Sequence, residues 1–147
     1  MSREIKFRGK AKDGRWVEGI PIKNGFGKLT FMCAAITDNL SYPMEKIHNF
    51  CIEVVPETVT QHTGLKDVNG VEIYEGDIVE QSFTELGSTD GIFDNPPDDM
   101  TSFIGEIKMY DGAWWIDSGS WAIPLFRELN PNEVIGNRYE NPELMED

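Results

Sequence analysis

The chain has 147 residues and a mass of 16.7 kDa, the size of one ordinary domain. It carries 26 Asp and Glu against 13 Lys and Arg, a net charge of -13, with 39% hydrophobic and 11% aromatic residues, enough for a core and too many for a disordered acidic tail. No run approaches about 18 consecutive apolar residues, so no membrane span is expected.

The start, Met1-Ser2-Arg3-Glu4-Ile5-Lys6, lacks the apolar stretch of a secretory signal, which makes the cytoplasm the expected compartment. Glu4-Ile5-Lys6-Phe7-Arg8-Gly9 alternates polar and apolar residues and predicts a half-buried strand. Asp13-Gly14 follows, flanked by a second alternation over Arg15-Trp16-Val17-Glu18-Gly19-Ile20, which is a hairpin pattern. A further strand pair is expected around 25–32. Glycine recurs too often through 1–27 for a stable helix.

Ile52-Glu53-Val54-Val55 is strand-like and stops at Pro56. Pro56 suits the first turn of a short helix over 56–62, with Gly64 as its C-terminal stop. Asp67-Val68-Asn69-Gly70 predicts a tight turn, and a second glycine turn at Gly76 leads into a strand. Residues 81–102 are polar, acidic and interrupted by Pro96-Pro97, so they are expected to form a long loop. Order returns at Ile104, and Asp111-Gly112 marks a second hairpin carrying Trp114-Trp115. A last strand is expected over 133–139. The pattern is mainly β (a β-dominated α+β protein) made of short strands and hairpins. The spacing of the strand at 73–80, the hairpin at 104–117 and the strand at 133–138 suggests a small SH3-like barrel for the C-terminal part.

The net charge is unevenly placed. Residues 1–50 hold nine basic and five acidic residues, a balance of +4, whereas residues 51–147 hold four and 21, a balance of -17. Acidity on that scale repels a phosphate backbone at long range, so nucleic acid is the disfavoured partner for the surface as a whole. The basic N-terminal stretch still offers Arg3, Arg8, Lys10, Lys12 and Arg15, with Trp16 among them, as candidate partner contacts. Trp114 is a further candidate, because neighbouring tryptophans on a strand face opposite ways and one of the pair must look outward.

Chemistry is sparsely signalled. Cys33, His48, Cys51 and His62 are separated by 14, 2 and 10 residues with no Cys-x-x-Cys pair, so no metal or cofactor is expected and the cysteines read as reduced, buried thiols. Glu75 and Asp77 lie two apart with no nucleophile or base at motif spacing, so no catalytic residue is assigned and a non-enzymatic protein is expected.

Arg3-Glu4-Ile5-Lys6-Phe7-Arg8 with Gly14-Arg15-Trp16-Val17-Glu18-Gly19, the block from Pro56 to Val79, and Val134-Ile135-Gly136-Asn137-Arg138-Tyr139-Glu140-Asn141-Pro142-Glu143-Leu144-Met145 together resemble the YopX family of phage and prophage proteins. The resemblance implies one unit over 1–147, with a basic N-terminal β region over 1–55 and the signature and SH3-like part over 56–147. It also implies phage or prophage origin and a homo-oligomer whose host or phage partner is unidentified, and it brings no activity and no catalytic residue. Gly64, Asn69, Gly70, Gly76, Asp77 and Gly136 read as a structural signature of turns, with Asp77 as an acceptor of backbone N–H bonds at the entry to its strand. The leading expectation is a self-associating binding module. The alternatives are a nucleic-acid-binding module using the basic segment, or an acidic nucleic-acid mimic built on the carboxylates of 85–99 and 140–147.

Overall fold

The computed structural model describes residues 5–23, 30–33, 51–83, 101–127 and 130–146. The chain divides into two compact units, Met1–His62 and Thr63–Asp147. Both are built of antiparallel strands.

Unit 1 contains β1 (Phe7–Lys10), β2 (Trp16–Lys23), β3 (Thr30–Cys33), β4 (Cys51–Val54) and the first half of β5 (Thr60–Lys66), side by side in the order β4-β3-β2-β1-β5. The Asp13-Gly14 hairpin forms as its residues dictate. The Gly14 N–H donates to the Ala11 carbonyl at 2.9 Å, and Gly14 takes a φ of 92° that a side chain would resist. The inward row buries Ala11, Met32 and Val54. Gly9 lies on this row because a Cβ there would stand 3.1 Å from Val54 and 3.2 Å from Met32.

Two expectations fail in this unit. Pro56 starts only a single 3-10 turn, Pro56–Thr58, and the chain is extended again from Thr60. The expected helix over 56–62 is lost to a non-local partner, since Thr60 and Gln61 pair with Arg8 and Phe7 of β1. Gly64, expected as a helix stop, lies inside β5 with a φ of 87°. Cys51 is disulfide-bonded rather than reduced. The β3–β4 register sets positions 33 and 51 directly opposite one another.

Unit 2 holds the second half of β5, paired with β6 (Glu72–Tyr74), and a five-stranded sheet in the order β10-β9-β8-β7-β11. Its members are β7 (Asp77–Ser82), β8 (Ser102–Tyr110), β9 (Ala113–Asp117), β10 (Ala122–Pro124) and β11 (Asn132–Asn137). The Asp111-Gly112 hairpin carries φ values of 49° and 76° at its two central residues, the mirror-image turn that matches strand twist. The core is one cluster of Ile73, Val79, Phe103, Ile107, Ile116, Ile123 and Leu125. The sheet orders are open, so the SH3-like barrel is not confirmed. Of the loop expected over 81–102, Gln81 and Ser82 belong to β7 and Ser102 to β8, while 84–100 lie outside the described residues. No helix among the described residues is long and apolar enough to cross a membrane.

Candidate partner-binding surfaces

Strand alternation decides what unit 1 turns outward. In the β1–β2 ladder Lys10 stands opposite Trp16 and Arg8 opposite Glu18, so these four side chains share a face. The Arg8 guanidinium lies over the Trp16 ring at 4.6 Å from its centroid, and the Lys10 ammonium lies 6.0 Å from it. Trp16 is therefore covered by its own strand neighbour instead of being a bare stacking platform. The same row of β2 continues through Ile20 and Ile22, which are 62% and 48% exposed, and Ile22 is opposite Phe31.

The candidate contacts separate. Arg8, Lys10 and Trp16 come together. The Lys12 ammonium pairs with Glu53 at 3.0 Å, and Arg15 pairs with Asp13 at 2.7 Å. The Arg15 N–H and guanidinium hold the Asp13 carboxyl below its ordinary range. Arg3 lies outside the described residues, as do the carboxylates of 85–99 on which the mimic reading rests. Trp114 packs against the unit 2 core, whereas Trp121 is 59% exposed.

The signature residues do local work in unit 2. Asn69 and Gly70 form the turn closed by the Gly70 N–H on the Asp67 carbonyl at 3.0 Å. The buried Asp67 carboxylate accepts the N–H groups of Asn69, Val71 and Val134 at 2.8, 2.9 and 3.0 Å. Sequence reading passed over Asp67 as one turn residue among several. Asp77 is 1% exposed, and its Oδ2 accepts the Tyr74 N–H at 2.8 Å across the Gly76 turn. Gly136 follows an irregularity in the β11–β7 register, where a Cβ would lie 2.7 Å from the Asn141 side-chain oxygen. Among the described residues, no group of three or more His, Cys, Asp and Glu is placed to hold a metal ion.

The outward face of the five-stranded sheet is a charged network. Glu106 accepts Arg138 at 3.1 Å, and Lys108 lies 3.9 Å from Glu106 and 3.7 Å from Asp117. The Tyr110 hydroxyl donates to Asp117 at 2.8 Å, and this bond raises the phenol's pKa. Partial burial alone would raise the Asp117 carboxyl. The Gly119 N–H, the Tyr110 hydroxyl and the Lys108 ammonium outweigh that and hold it below 3.8.

Beneath the other face is a buried amide cluster that the sequence did not signal. Gln81, fully buried on β7, donates through Nε2 to Asn132 Oδ1 at 2.9 Å and to the carbonyls of Leu125 and Pro124 at 3.2 and 3.3 Å. Its Oε1 accepts the Asn130 amide at 3.3 Å. Asn130 and Asn132 also line an open cleft of about 300 Å³ with Leu65, Lys66, Phe126 and Arg127. Neither Glu75 nor Asp77 lines it.

No curated protein matches the chain. Among solved structures it is similar to the crystal structure of protein EF1440 from Enterococcus faecalis, at 28% identity and a TM-score of 0.46, over 99% of this chain and 100% of that one. The family model described as YopX protein matches residues 6–146. The chain belongs to the YopX family.

Proposed function

We propose that this chain is a phage- or prophage-encoded accessory protein that works without catalysis, as a binding module associating with copies of itself in the bacterial cytoplasm. The observation that carries the reading is the outward row of β2, where Ile20 and Ile22 stand in water beside Phe31. Burying a branched aliphatic side chain of this kind contributes about 1.5–3 kcal/mol, so covering the row favours association. The cations at the Arg8 and Lys10 end of the same face complement a chain of net charge -13, which a second copy supplies.

Size-exclusion chromatography with light scattering at micromolar concentration tests it. The intact chain is expected as a dimer or larger, and Ile20→Glu with Ile22→Glu as a folded monomer. A clean monomer for the unmodified chain would sink the reading. The second reading, nucleic-acid binding, is favoured only by the convergence of Arg8, Lys10 and Trp16. It requires oligonucleotide affinity that declines steeply with salt and weakens in Arg8→Ala.

A further inference from the structure

We propose that Cys33 and Cys51 form a cross-strand disulfide that a cellular thiol opens, and that its redox state sets how firmly β4 is held beside the association face of unit 1. The consequence for association rests on the self-association reading above, whereas the bond itself follows from strand register. Cys51 is disulfide-bonded, and the chain has one other cysteine, Cys33. The β3–β4 ladder sets the two positions opposite one another. Directly opposed residues on antiparallel strands have Cα atoms about 4.5–5.5 Å apart, within the span that one disulfide bridges. The bond therefore closes within one chain and needs no second copy.

Its place in unit 1 makes it a switch. Position 33 stands opposite Ile20 as well as Cys51, so Ile20, 33 and 51 form one row across three strands, and Ile22, Phe31 and Glu53 form the next. Alternation puts both rows on the face where Ile20 is 62% exposed. Cys51 is half-buried there, which leaves a thiolate a path to its sulfur. The strand it anchors is at the end of the sheet order and has four register pairs with β3. The bridge from Val54 to Ala11 and the Lys12–Glu53 ion pair hold its C-terminal end. Beyond the ladder, the disulfide is what anchors the Cys51 end. Where a thiol pool keeps most cysteines reduced, a disulfide typically serves as a redox sensor. The reductant is a low-molecular-weight thiol of the glutathione class. Its thiolate attacks the Cys51 sulfur, the S–S bond breaks, and Cys33 leaves as a thiolate that takes up a proton. A second thiol resolves the mixed disulfide and releases Cys51. Two electrons enter the protein, and the two reductant thiols depart as one disulfide.

The test starts with mass spectrometry of the full chain digested without reductant. The intact chain is then equilibrated in glutathione buffers from oxidised to reduced, alkylated and weighed. A peptide joining Cys33 to Cys51 is expected, with alkylation of both cysteines at cytosolic glutathione poise and circular dichroism retained. Amide exchange at 51–53 is expected to quicken about tenfold or more, with Ile107 and Ile116 unchanged. By light scattering, the reduced chain is expected to associate about fivefold or more weakly. The Cys33→Ser, Cys51→Ser chain is expected to match the reduced chain at every poise. Four outcomes would overturn the proposal: no linked peptide, a bond that resists glutathione, general unfolding on reduction, or unchanged exchange at 51–53. Association of equal strength in both redox states would overturn it as well. A chain monomeric in both states, with exchange at 51–53 still responding, would instead sink the self-association reading and leave the thiol-opened anchor of β4 supported.

Discussion

Units 1 and 2 are made from the same parts, short antiparallel strands joined by Asp-Gly hairpins, yet they finish their surfaces differently. Unit 2 pairs the charges on its outward sheet face and blunts its β11 edge. The Val134 N–H goes to Asp67, the Asn132 carbonyl accepts the Val68 N–H, and the Asn137 N–H goes to Asn141. Such capping removes the template that an open strand edge presents to another chain. Unit 1 instead leaves Ile20 and Ile22 uncovered on its face. Where a sheet face has already paired its charges, little drives further contact at that face. Association is expected on the unit 1 face, where the aliphatic row stays open.

The largest effect that tests this contrast is in the unit 2 core. Ile116→Ala is expected to lower stability by about 2–5 kcal/mol in denaturant titration, whereas Ile22→Ser stays within about 0.5 kcal/mol and changes only the oligomeric state. An Ile22→Ser loss comparable to that of Ile116→Ala, in a chain shown to be monomeric, would mean the row is packed and the contrast is wrong. Next, Asp67→Ala removes the acceptor for three backbone N–H groups, including the one that caps β11. A loss of about 1.5–3 kcal/mol is expected, with faster hydrogen exchange at Val134.

Smaller again is Arg8→Ala, expected to cost about 0.5–1 kcal/mol and to change the tryptophan signal in near-ultraviolet circular dichroism. The smallest effect concerns Tyr110 and Asp117. The lowered Asp117 pKa means its contribution to stability is present above 3.8 and is lost as pH falls through the depressed folded value. The raised Tyr110 pKa means its contribution is present below 10.0 and is lost as pH rises through the higher folded value. Tyr110→Phe removes the shared bond, so Asp117 should titrate closer to 3.8 in a carboxyl NMR titration. Because the pair is largely exposed, stability should scarcely change.

What was legible in the sequence was local. Asp13-Gly14, Asn69-Gly70, Gly76 and Asp111-Gly112 announce turns because few residues tolerate their backbone angles, and the strands between them follow from alternation. The facing directions of Trp114 and Trp115 followed from the same period, although which of them packs on the core did not. The 56–62 stretch was misread because a proline at a helix start is a local preference, and pairing with β1 overrode it. The amide relay was invisible for the same reason. Gln81 meets Asn130 and Asn132 across 49 and 51 residues of sequence, and no pattern in a window of ordinary width connects them.

The sequence by itself determined a β-rich chain of opposed charge halves, its turns, and the family to which it belongs. The tertiary structure decided which side chains share a face. That choice put Arg8 over Trp16, left Ile20 and Ile22 in water, opposed Cys51 to position 33, and ended a buried relay on the Asn130 oxygen. The physical reason is that backbone preference acts within a few residues, whereas cross-strand register, fixed by burying one face of each strand, sets every long-range neighbour at once.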